Sequence, residues 1–315
     1  MTFTVMISTR DRRSDLEATC SRLLDLQPAP DEVIICADGC VDDTLEMLRS
    51  RFPRFKIFEN RIPKGSMFSR DRILRAARGE IVLSLDDDSY PIERDFFQRL
   101  RVIFLQHPEA AAVVFPELRD DNVFSAADKT DKSPGHYVAA YANCAAAMRR
   151  EFYLKHEGFP VFFTHMYEEA DFAVRCYAQG AAVWFEPRLT VRHHQSPVNR
   201  RPIARHHFNA RNELWSVWMR CPWPWVTVVS AYRVLRQLLY ARSEGLAWLL
   251  REPVWWLAAL KGLQQCRHSR QPVAWRAYYR WMRLARNPIY EVQKLREKFP
   301  QAVSTCATPD ACLVR

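Results

Sequence analysis

The chain has 315 residues, of which 48% are hydrophobic and 26% charged, a composition that excludes a disordered protein and fits one large domain or two small ones. Its net charge of +10 is uneven. Residues 1–196 carry 26 Lys and Arg against 30 Asp and Glu, whereas residues 197–315 carry 20 against 6. Because nine of the ten tryptophans also follow residue 196, we expect a nearly neutral first part and a basic, aromatic second part with different partners.

The nine cysteines are scattered, without a CxxC pair or zinc-finger spacing, which favours reduced thiols in a cytosolic compartment. The sequence opens directly into the apolar run 3–7, which is too short for the hydrophobic part of a signal peptide. The longest mainly apolar stretch, residues 223–232, is far shorter than the roughly 20 residues of a membrane-spanning helix. We therefore expect a cytoplasmic protein without a transmembrane segment.

Residues 1–116 alternate between short apolar runs and helix-like patterns, which predicts βαβ units and a mostly parallel sheet. Ser14 is the predicted N-cap of the first helix. The predicted strands are 5–8, 32–36, 55–58, 81–85 and 111–116, and the predicted helices are 14–26, 43–52 and 67–77.

The next part of the chain continues this pattern and then changes to helices alone. We expect a polar loop at 119–137, strands at 141–148 and 181–185, and a helix at 168–179. Beyond Pro197, successive helical segments are separated by prolines. The predicted fold class is thus α/β, a Rossmann-like, mostly parallel sheet flanked by helices, with a C-terminal helical extension. We place the domain boundary after residue 204, so that a basic, Trp-rich helical region spans 205–315.

Polar residues directly follow three of the predicted strands. Ligands of parallel sheets bind at the carboxyl ends of the strands, so these residues are the first candidates for a site. They are Thr9-Arg10-Asp11, Asp38-Gly39 and Asp86-Asp87-Asp88.

The three adjacent aspartates suggest a cation site. Like charges a few ångströms apart repel one another, and a bound cation would relieve that repulsion. Oxygen ligands suit a hard ion such as Mg²⁺ or Mn²⁺. The alternative is an acidic loop or helix N-terminus, which is less typical of a triplet that follows a buried strand.

Asp38 has two interpretations. Its carboxylate can accept a hydrogen bond from a ribose or a base at the mouth of the sheet. The alternative is a simple Asp-Gly turn with an aspartate cap on the helix that follows, and taken alone the turn is favoured.

These motifs and further ones follow one another in an order that resembles that of family 2 glycosyltransferases of the GT-A fold. Each motif is weak alone, whereas the ordered set, which covers about residues 1–212, is specific. The motifs are Ser8-Thr9-Arg10-Asp11-Arg12, Ala37-Asp38-Gly39-Cys40-Val41-Asp42-Asp43-Thr44, Lys64-Gly65, Ser69-Arg70-Asp71, Gly79-Glu80 ahead of Asp86-Asp87-Asp88, Gly158-Phe159, the run from Tyr167 to Arg175, Pro187 ahead of His193-His194, and Arg211-Asn212.

The resemblance makes residues 1–204 the nucleotide-sugar-binding and catalytic domain and implies roles on the donor side. Thr9, Asp11 and Asp38 would hold the base and ribose of a nucleotide-sugar, and Arg70 would lie near the donor. The sequence departs from the family at Asp11, where Asn is commoner.

The resemblance also implies a metal site for Mn²⁺ or Mg²⁺. Asp86 and Asp88 would be the two ends of the DxD motif, with Asp88 the best metal ligand and with Asp86 and Asp87 also near the donor. His193 falls where the family has a ligand to the metal or the diphosphate. A buried or surface histidine pair is the structural alternative for His193 and His194.

Glu169 falls where the family has its catalytic base, a group that takes the proton of the acceptor hydroxyl. The family usually has Asp there, so Glu168 and Asp171 remain alternatives. Acidic residues at a helix start are also favoured by the helix dipole, which is the structural explanation for all three.

The resemblance implies an inverting glycosyltransferase that acts on a glycan or lipid-linked acceptor in bacterial polysaccharide or glycolipid assembly. A nucleotidyltransferase on a similar sheet is one alternative, but it usually has a Gly-rich basic loop where this chain has residues 9–13. A non-catalytic, membrane-bound scaffold is another, and the intact Asp86–Asp88 and His193 argue against it. Nucleic acid is not an expected partner, because no known binding motif is present.

The basic helices after residue 204 suggest a membrane surface. On a helical wheel of 273–286 the aromatic side chains, with Trp275 and Trp281 among them, share one arc beside an arc of arginines at 276, 280 and 283. This arrangement suits a helix at an anionic membrane interface, and it equally suits a helix packed on the catalytic domain. Several such helices in succession favour a peripheral protein on the inner face of the cell membrane.

Overall fold

The computed structural model describes residues 1–119, 134–195 and 201–300. Its strands are β1 (Phe3–Thr9), β2 (Glu32–Asp38), β3 (Lys56–Asn60), β4 (Ile81–Asp86), β5 (Ser89–Pro91), β6 (Ala110–Val114), β7 (Glu117–Arg119), β8 (His136–Tyr137), β9 (Ala146–Arg149), β10 (Ala182–Phe185) and β11 (Val191–His193). Its helices are α1 (Arg13–Leu24), α2 (Thr44–Arg51), α3 (Ser66–Ala76), α4 (Phe96–Gln106), α5 (Arg150–Lys155), α6 (Glu168–Ala178), α7 (Pro202–Arg220), α8 (Trp225–Glu244), α9 (Leu246–Leu249), α10 (Glu252–Lys261), α11 (Leu263–His268), α12 (Trp275–Leu284) and α13 (Val292–Lys298).

The described strands form one eight-stranded sheet and one three-stranded sheet. The large sheet has the order β3-β2-β1-β4-β9-β6-β10-β8, and the small one the order β5-β11-β7. β1 pairs in parallel with β2 and β4, whereas β9 runs antiparallel to both β4 and β6. The expected α/β class with a C-terminal helical extension is confirmed.

Alternation along β1 explains how the sheet is buried on both faces. Val5 and Ile7 point to one apolar cluster with Leu16, while Met6 points to the opposite cluster with Met67. All five side chains are completely buried. Truncating a large apolar residue in such a core leaves a cavity and lowers the free energy of unfolding by about 2–5 kcal/mol. The packed side chains on both faces of β1 therefore hold this strand, and with it the strand ends, firmly in place.

Several local expectations need correction. The first helix begins at Arg13 without a side-chain cap, so Ser14 is not its N-cap. Only the end of the predicted strand 141–148 is extended, because Asn143–Ala145 forms a 3₁₀ turn. Most of the predicted loop 119–137 lies outside the described residues.

Helix α4 was not predicted from the sequence, although its apolar positions follow a helical period. Phe96, Leu100, Ile103 and Phe104 are all buried. Leu100 lies four residues after Phe96, and Ile103 and Phe104 lie three and four residues after Leu100, which is the spacing of one helix face. This helix packs its apolar face into the cluster that also holds Val5, so it covers the sheet as α1 does.

The C-terminal helices pack on α7 and on the α/β domain. The helices α8, α10 and α11 contact α7, and the indole of Trp215 on α7 donates a hydrogen bond to the carbonyl of Ala259 at 2.9 Å. The predicted domain boundary after residue 204 falls within the first turn of α7, which begins at Pro202.

The aromatic arc of α12 faces the protein. Tyr278 and Trp281 are 1% and 4% exposed, and the Trp281 indole donates to the carbonyl of Ala139 at 2.8 Å. The expectation that this arc lies at a membrane is therefore wrong for these two residues. An amphipathic helix needs an apolar partner, and here the α/β domain supplies it.

Candidate active site

A cavity of about 1080 Å³ opens at the carboxyl ends of β1, β2 and β4. This is the edge at which the sequence analysis placed its candidates. The predicted site residues that line it are Thr9, Asp11, Asp38, Arg70, Asp86, Asp87, Asp88, Glu168, Glu169 and His193.

Arginines neutralise much of the charge of the aspartate triplet. Arg70 forms an ion pair with Asp86. The Nη1 of Arg12 lies 2.9 Å from an oxygen of Asp87 and 3.3 Å from an oxygen of Asp88. The repulsion that suggested a cation site is therefore weaker than the sequence alone implied, because guanidinium groups already relieve part of it.

Asp87 is the structural member of the triplet. It is 5% exposed, and Thr9 donates its hydroxyl to it at 2.8 Å. Burial raises the pKa of Asp87 to about 7, against the lowering effect of Arg12. Its side chain thus ties β1 to the end of β4.

The small sheet brings His193 to this cluster. β5 begins immediately after the triplet and pairs antiparallel with β11, with Ser89 opposite His193. The Nε2 of His193 consequently lies 3.3 Å from Asp88 Oδ1. Burial lowers the pKa of His193, but hydrogen bonds to Asp88 and Glu117 outweigh this and raise it to about 9.

These residues fit a divalent metal. Ligand atoms of Asp86, Cys144 and His193 lie within 4.8 Å of one another, and His193 also lies 3.3 Å from Asp88. The Nδ1 of His193 lies 2.7 Å from Glu117, a contact that orients the imidazole so that Nε2 faces Asp88. Carboxylate and imidazole ligands together suit Mn²⁺, and carboxylates with water suit Mg²⁺.

Asp38 organises the loop before α3. Its carboxylate accepts hydrogen bonds from the backbone N–H groups of Lys64 at 2.9 Å and Gly65 at 2.8 Å, and from the side chain of Asn60 at 2.8 Å. A carboxylate has about four acceptor positions, and these three groups occupy three of them. Asp11 likewise accepts the N–H of Val41 at 2.7 Å and is only partly buried.

Arg70 connects the aspartate triplet to the glutamates at the start of α6. This arginine is 5% exposed and lies between Asp86 and Glu168, with 3.6 Å from its Nη1 to a Glu168 oxygen. Asn143 also donates to Glu168, at 3.0 Å. Glu168 is therefore held by two partners in the floor of the cavity.

Glu169 is the less constrained carboxylate of the pair. It accepts a hydrogen bond from the backbone N–H of Asn143 at 3.3 Å and lines the cavity. Burial, and then the neighbouring charge of Glu168, hold its pKa well above the usual range of a glutamate. Such a carboxyl is a stronger base when ionised than an exposed one.

Asp171 does not line the cavity. It is completely buried and accepts hydrogen bonds from Ser216 at 2.9 Å, Arg220 at 3.0 Å and Arg175 at 3.1 Å. Burial alone would raise its pKa, but the two guanidinium groups lower it. Asp171 thus joins α6 to α7, and its catalytic candidacy has no geometric support.

We expect the Asp171→Asn protein to lose about 3–5 kcal/mol of unfolding free energy, because the change leaves two buried arginines without their counter-charge. Chemical denaturation measures this loss. Asp25→Asn, at a surface aspartate that is 59% exposed, is the matched control and should change stability by less than about 0.5 kcal/mol. Equal stability of the two variants would show that the buried network contributes little.

Four residues of the site were not predicted as site residues: Arg12, Glu117, Asn143 and Cys144. Arg12 carried a signal, since it belongs to the motif that follows β1. The other three reach the cavity only through strand pairings distant in sequence, which no local pattern reveals.

The sheet order, the acidic cluster at the end of β4 and the covering helices define a GT-A fold. The chain belongs to glycosyl transferase family 2, whose model matches residues 4–173, more than half of the chain. No curated protein matches it.

Solved structures with this fold share little sequence with the chain. TarS residues 1–349 from S. aureus has 16% identity and a TM-score of 0.60, with 96% of this chain and 89% of that chain covered. Mannosyltransferase PcManGT from Pyrobaculum calidifontis, in complex with GDP-Man and Mn²⁺, has 17% identity and a TM-score of 0.56. The match covers 95% of this chain and 85% of that chain. GalNAc-T7 with UDP, GalNAc and Mn²⁺ has 14% identity and a TM-score of 0.58. The match covers 72% of this chain and 49% of that chain, so the chain spans about half the length of GalNAc-T7.

Proposed function

We propose that this chain is an inverting glycosyltransferase that moves a sugar from a nucleotide diphosphate donor to an acceptor hydroxyl in bacterial polysaccharide or glycolipid assembly. One observation carries the proposal. The candidate metal ligands Asp86, Asp88 and His193 line the same cavity as Glu169, the less constrained of the two glutamates. Metal-assisted departure and base-assisted attack need these two groups on either side of a sugar.

On the donor side, Asp86, Asp88 and His193 would hold Mn²⁺ or Mg²⁺. Such an ion, when bound, neutralises the charge that develops on the departing diphosphate. The remaining acceptor position of Asp38 and the carboxylate of Asp11 would receive hydroxyl or N–H groups of the nucleoside. Three solved structures of this fold contain UDP with Mn²⁺, GDP-Man with Mn²⁺, or UDP-GlcNAc, which supports a nucleotide-sugar donor.

On the acceptor side, Glu169 would take the proton of the attacking hydroxyl. Glu168 is the weaker candidate, because Arg70 and Asn143 occupy its carboxylate. The raised pKa of Glu169 brings its basicity closer to that of a group working near neutral pH. Arg70, which forms ion pairs with Asp86 and Glu168, would hold these two carboxylates in fixed positions relative to each other.

A nucleotidyltransferase or a non-catalytic scaffold would share this fold but would not give the products of glycosyl transfer. The product distinguishes them. An inverting transferase should slowly release nucleoside diphosphate and free sugar from its donor in water, and proton NMR should first show the sugar with the opposite anomeric configuration. Release of nucleoside monophosphate and sugar 1-phosphate from the same donor would indicate nucleotidyl transfer, and retained configuration would contradict inversion.

We further propose that the C-terminal region brings the enzyme to an anionic membrane surface, where a lipid-linked acceptor lies. No helix in the described parts of the chain has the length and apolar character to cross a bilayer. Among the described residues, however, twelve of the 21 large exposed apolar side chains lie within residues 223–260, so this surface is unusually apolar for one facing water.

The exposed residues form stripes on α8 and around α10. Val228, Tyr232, Leu235 and Leu239 are each more than half exposed and recur every three or four residues, so they share one helix face. The same spacing relates Leu246, Leu250, Val254 and Leu257, which are 58–72% exposed. These stripes replace the arc of α12 as the surface that would enter the headgroup region.

The charge around the stripes favours anionic lipid. Arg242, Arg251 and Lys261 are exposed, against one exposed acid, Glu244, in the same segment. The other acid, Glu252, is buried and lies 2.7 Å from His206. Each basic residue near such a surface contributes about 1 kcal/mol, which salt weakens.

We expect the protein to co-sediment with phosphatidylglycerol vesicles and to be only partly released by high salt. The double variant Leu250→Glu with Leu257→Glu should remain in the supernatant. Leu105→Glu, at a leucine of α4 that is 68% exposed, should still bind. Equal recovery of wild type with and without vesicles, or a dimer that the double variant dissociates, would contradict a lipid partner.

A further inference from the structure

The segment just before α6 has a backbone that side chains rarely adopt. Thr164, Met166 and Tyr167 have φ angles of +63°, +75° and +70°, and Thr164 is β-branched. Such conformations are unfavourable for residues other than glycine and persist only where the surroundings impose them. Because this segment leads directly into Glu168 and Glu169, whatever holds it also sets the position of both carboxylates.

One completely buried side chain on α7 contacts three carbonyl groups of this segment. The Nδ2 of Asn212 lies 3.1 Å from the carbonyl oxygen of Phe163, 2.7 Å from that of His165 and 2.8 Å from that of Met166. The two N–H bonds of this amide are therefore shared among three carbonyl groups within residues 163–166.

Arg211 fixes the orientation of this amide. Its Nε donates to Asn212 Oδ1 at 3.0 Å, so the NH₂ group of the amide faces the carbonyls. Its Nη2 donates to the Phe163 carbonyl at 3.0 Å, and its guanidinium lies 4.2 Å from the ring centre of Trp215. Arg211 and Asn212 thus act on the same segment as one unit.

The opposite side of the segment rests on the donor half of the cavity. The Thr164 carbonyl accepts hydrogen bonds at 3.3 Å from the N–H of Met67 and from the hydroxyl of Ser66. A Cβ on Gly65 would come within 2.9 Å of that carbonyl oxygen, so this contact is close. Gly65 is in turn held by Asp38, which links the segment to the loop at the nucleotide side.

We propose that Asn212, oriented by Arg211, is a positioning residue that holds residues 163–167 so that Glu169 faces the acceptor. The proposal rests on the proposed function, because it assigns a purpose to the placement of Glu169. It gives a role to the Arg211-Asn212 motif, which has none in the proposed donor and metal sites.

The test is a double-mutant cycle with Asn212→Ala and Glu169→Gln, measured as nucleoside diphosphate release. Asn212→Ala alone should lower kcat about 10- to 100-fold, the effect of displacing a reacting group by about 1 Å. Its Kd for the Mn²⁺-bound donor should change less than about threefold. In the Glu169→Gln background the same change should lower kcat less than about threefold, because the displaced group is already absent.

Hydrogen exchange provides a readout that does not depend on activity. The amides of residues 164–169 should exchange faster in Asn212→Ala, while those of β1 should be unaffected. If Asn212→Ala does not fold, Arg211→Lys, which loses the paired contacts to Asn212 and Phe163, takes its place under the same criteria. Asn287→Ala, at an exposed asparagine, is the control and should change nothing.

Fully additive losses in the cycle, an unchanged kcat, or unchanged exchange of residues 164–169 would each overturn the proposal. Failure of the proposed function is a separate result. It would appear as a wild type that releases no nucleoside diphosphate, or as Glu169→Gln with full activity, while faster exchange in Asn212→Ala would still support the anchoring of the segment.

Discussion

Replacing Asp88 by Asn should lower glycosyl transfer by about 10²- to 10³-fold and abolish the gain in donor affinity that Mn²⁺ provides. Asp88 lies 3.3 Å from His193 and is 2% exposed, so the substitution removes a buried carboxylate directly beside another proposed metal ligand. A metal supplies several kcal/mol of transition-state stabilisation, and each 1.36 kcal/mol corresponds to about a factor of ten in rate.

Calorimetric titration of donor with and without Mn²⁺, together with initial rates, measures both effects. Asp25→Asn should behave as wild type, since Asp25 is a surface residue of the same charge. Full activity of Asp88→Asn, or of the wild type in excess EDTA, would show that Arg12 and Arg70 alone neutralise the diphosphate and that the metal proposal is wrong.

Replacing Glu169 by Gln should lower turnover by about 10²-fold or more and leave donor binding nearly unchanged. The amide keeps the size of the side chain and removes its ability to accept a proton. Because burial raises the pKa of Glu169, the wild-type rate should fall as the pH drops through this raised pKa, since the carboxylate becomes protonated. The variant should lack this part of the pH profile.

Glu168→Gln is the matched comparison for the base. It should also alter the contact with Arg70, so we expect a change in both donor affinity and rate. A large loss of turnover in Glu168→Gln, with donor affinity intact, together with full activity of Glu169→Gln would reverse the assignment of the base.

The sequence was sufficient to predict that Asp38 and the aspartate triplet meet at one edge of the sheet. Asp86–Asp88 and Asp38 follow apolar runs that could be recognised as strands, and a parallel sheet brings strand ends to one edge. His193 was singled out only by the family resemblance. Its place beside Asp88 depends on the pairing of β11 with β5, between residues about 100 positions apart.

The errors have a common physical cause, namely that local patterns do not specify partners. The acids at 168, 169 and 171 look alike as helix-start residues, yet Asp171 is neutralised by Arg220, 49 residues away. The amphipathic pattern of α12 was correct, but it could not reveal whether protein or lipid covers the aromatic side. Here the α/β domain covers it.

The most direct test of the central claim is calorimetric titration of the wild-type protein with UDP-, dTDP- and GDP-sugars in the presence of Mn²⁺. We expect one donor class to bind saturably at a single site, to lose affinity when EDTA removes the metal, and to regain it when Mn²⁺ is restored. Absence of binding by all three classes to the folded protein, or binding that EDTA leaves unchanged, would contradict a metal-dependent nucleotide-sugar site at the end of β4.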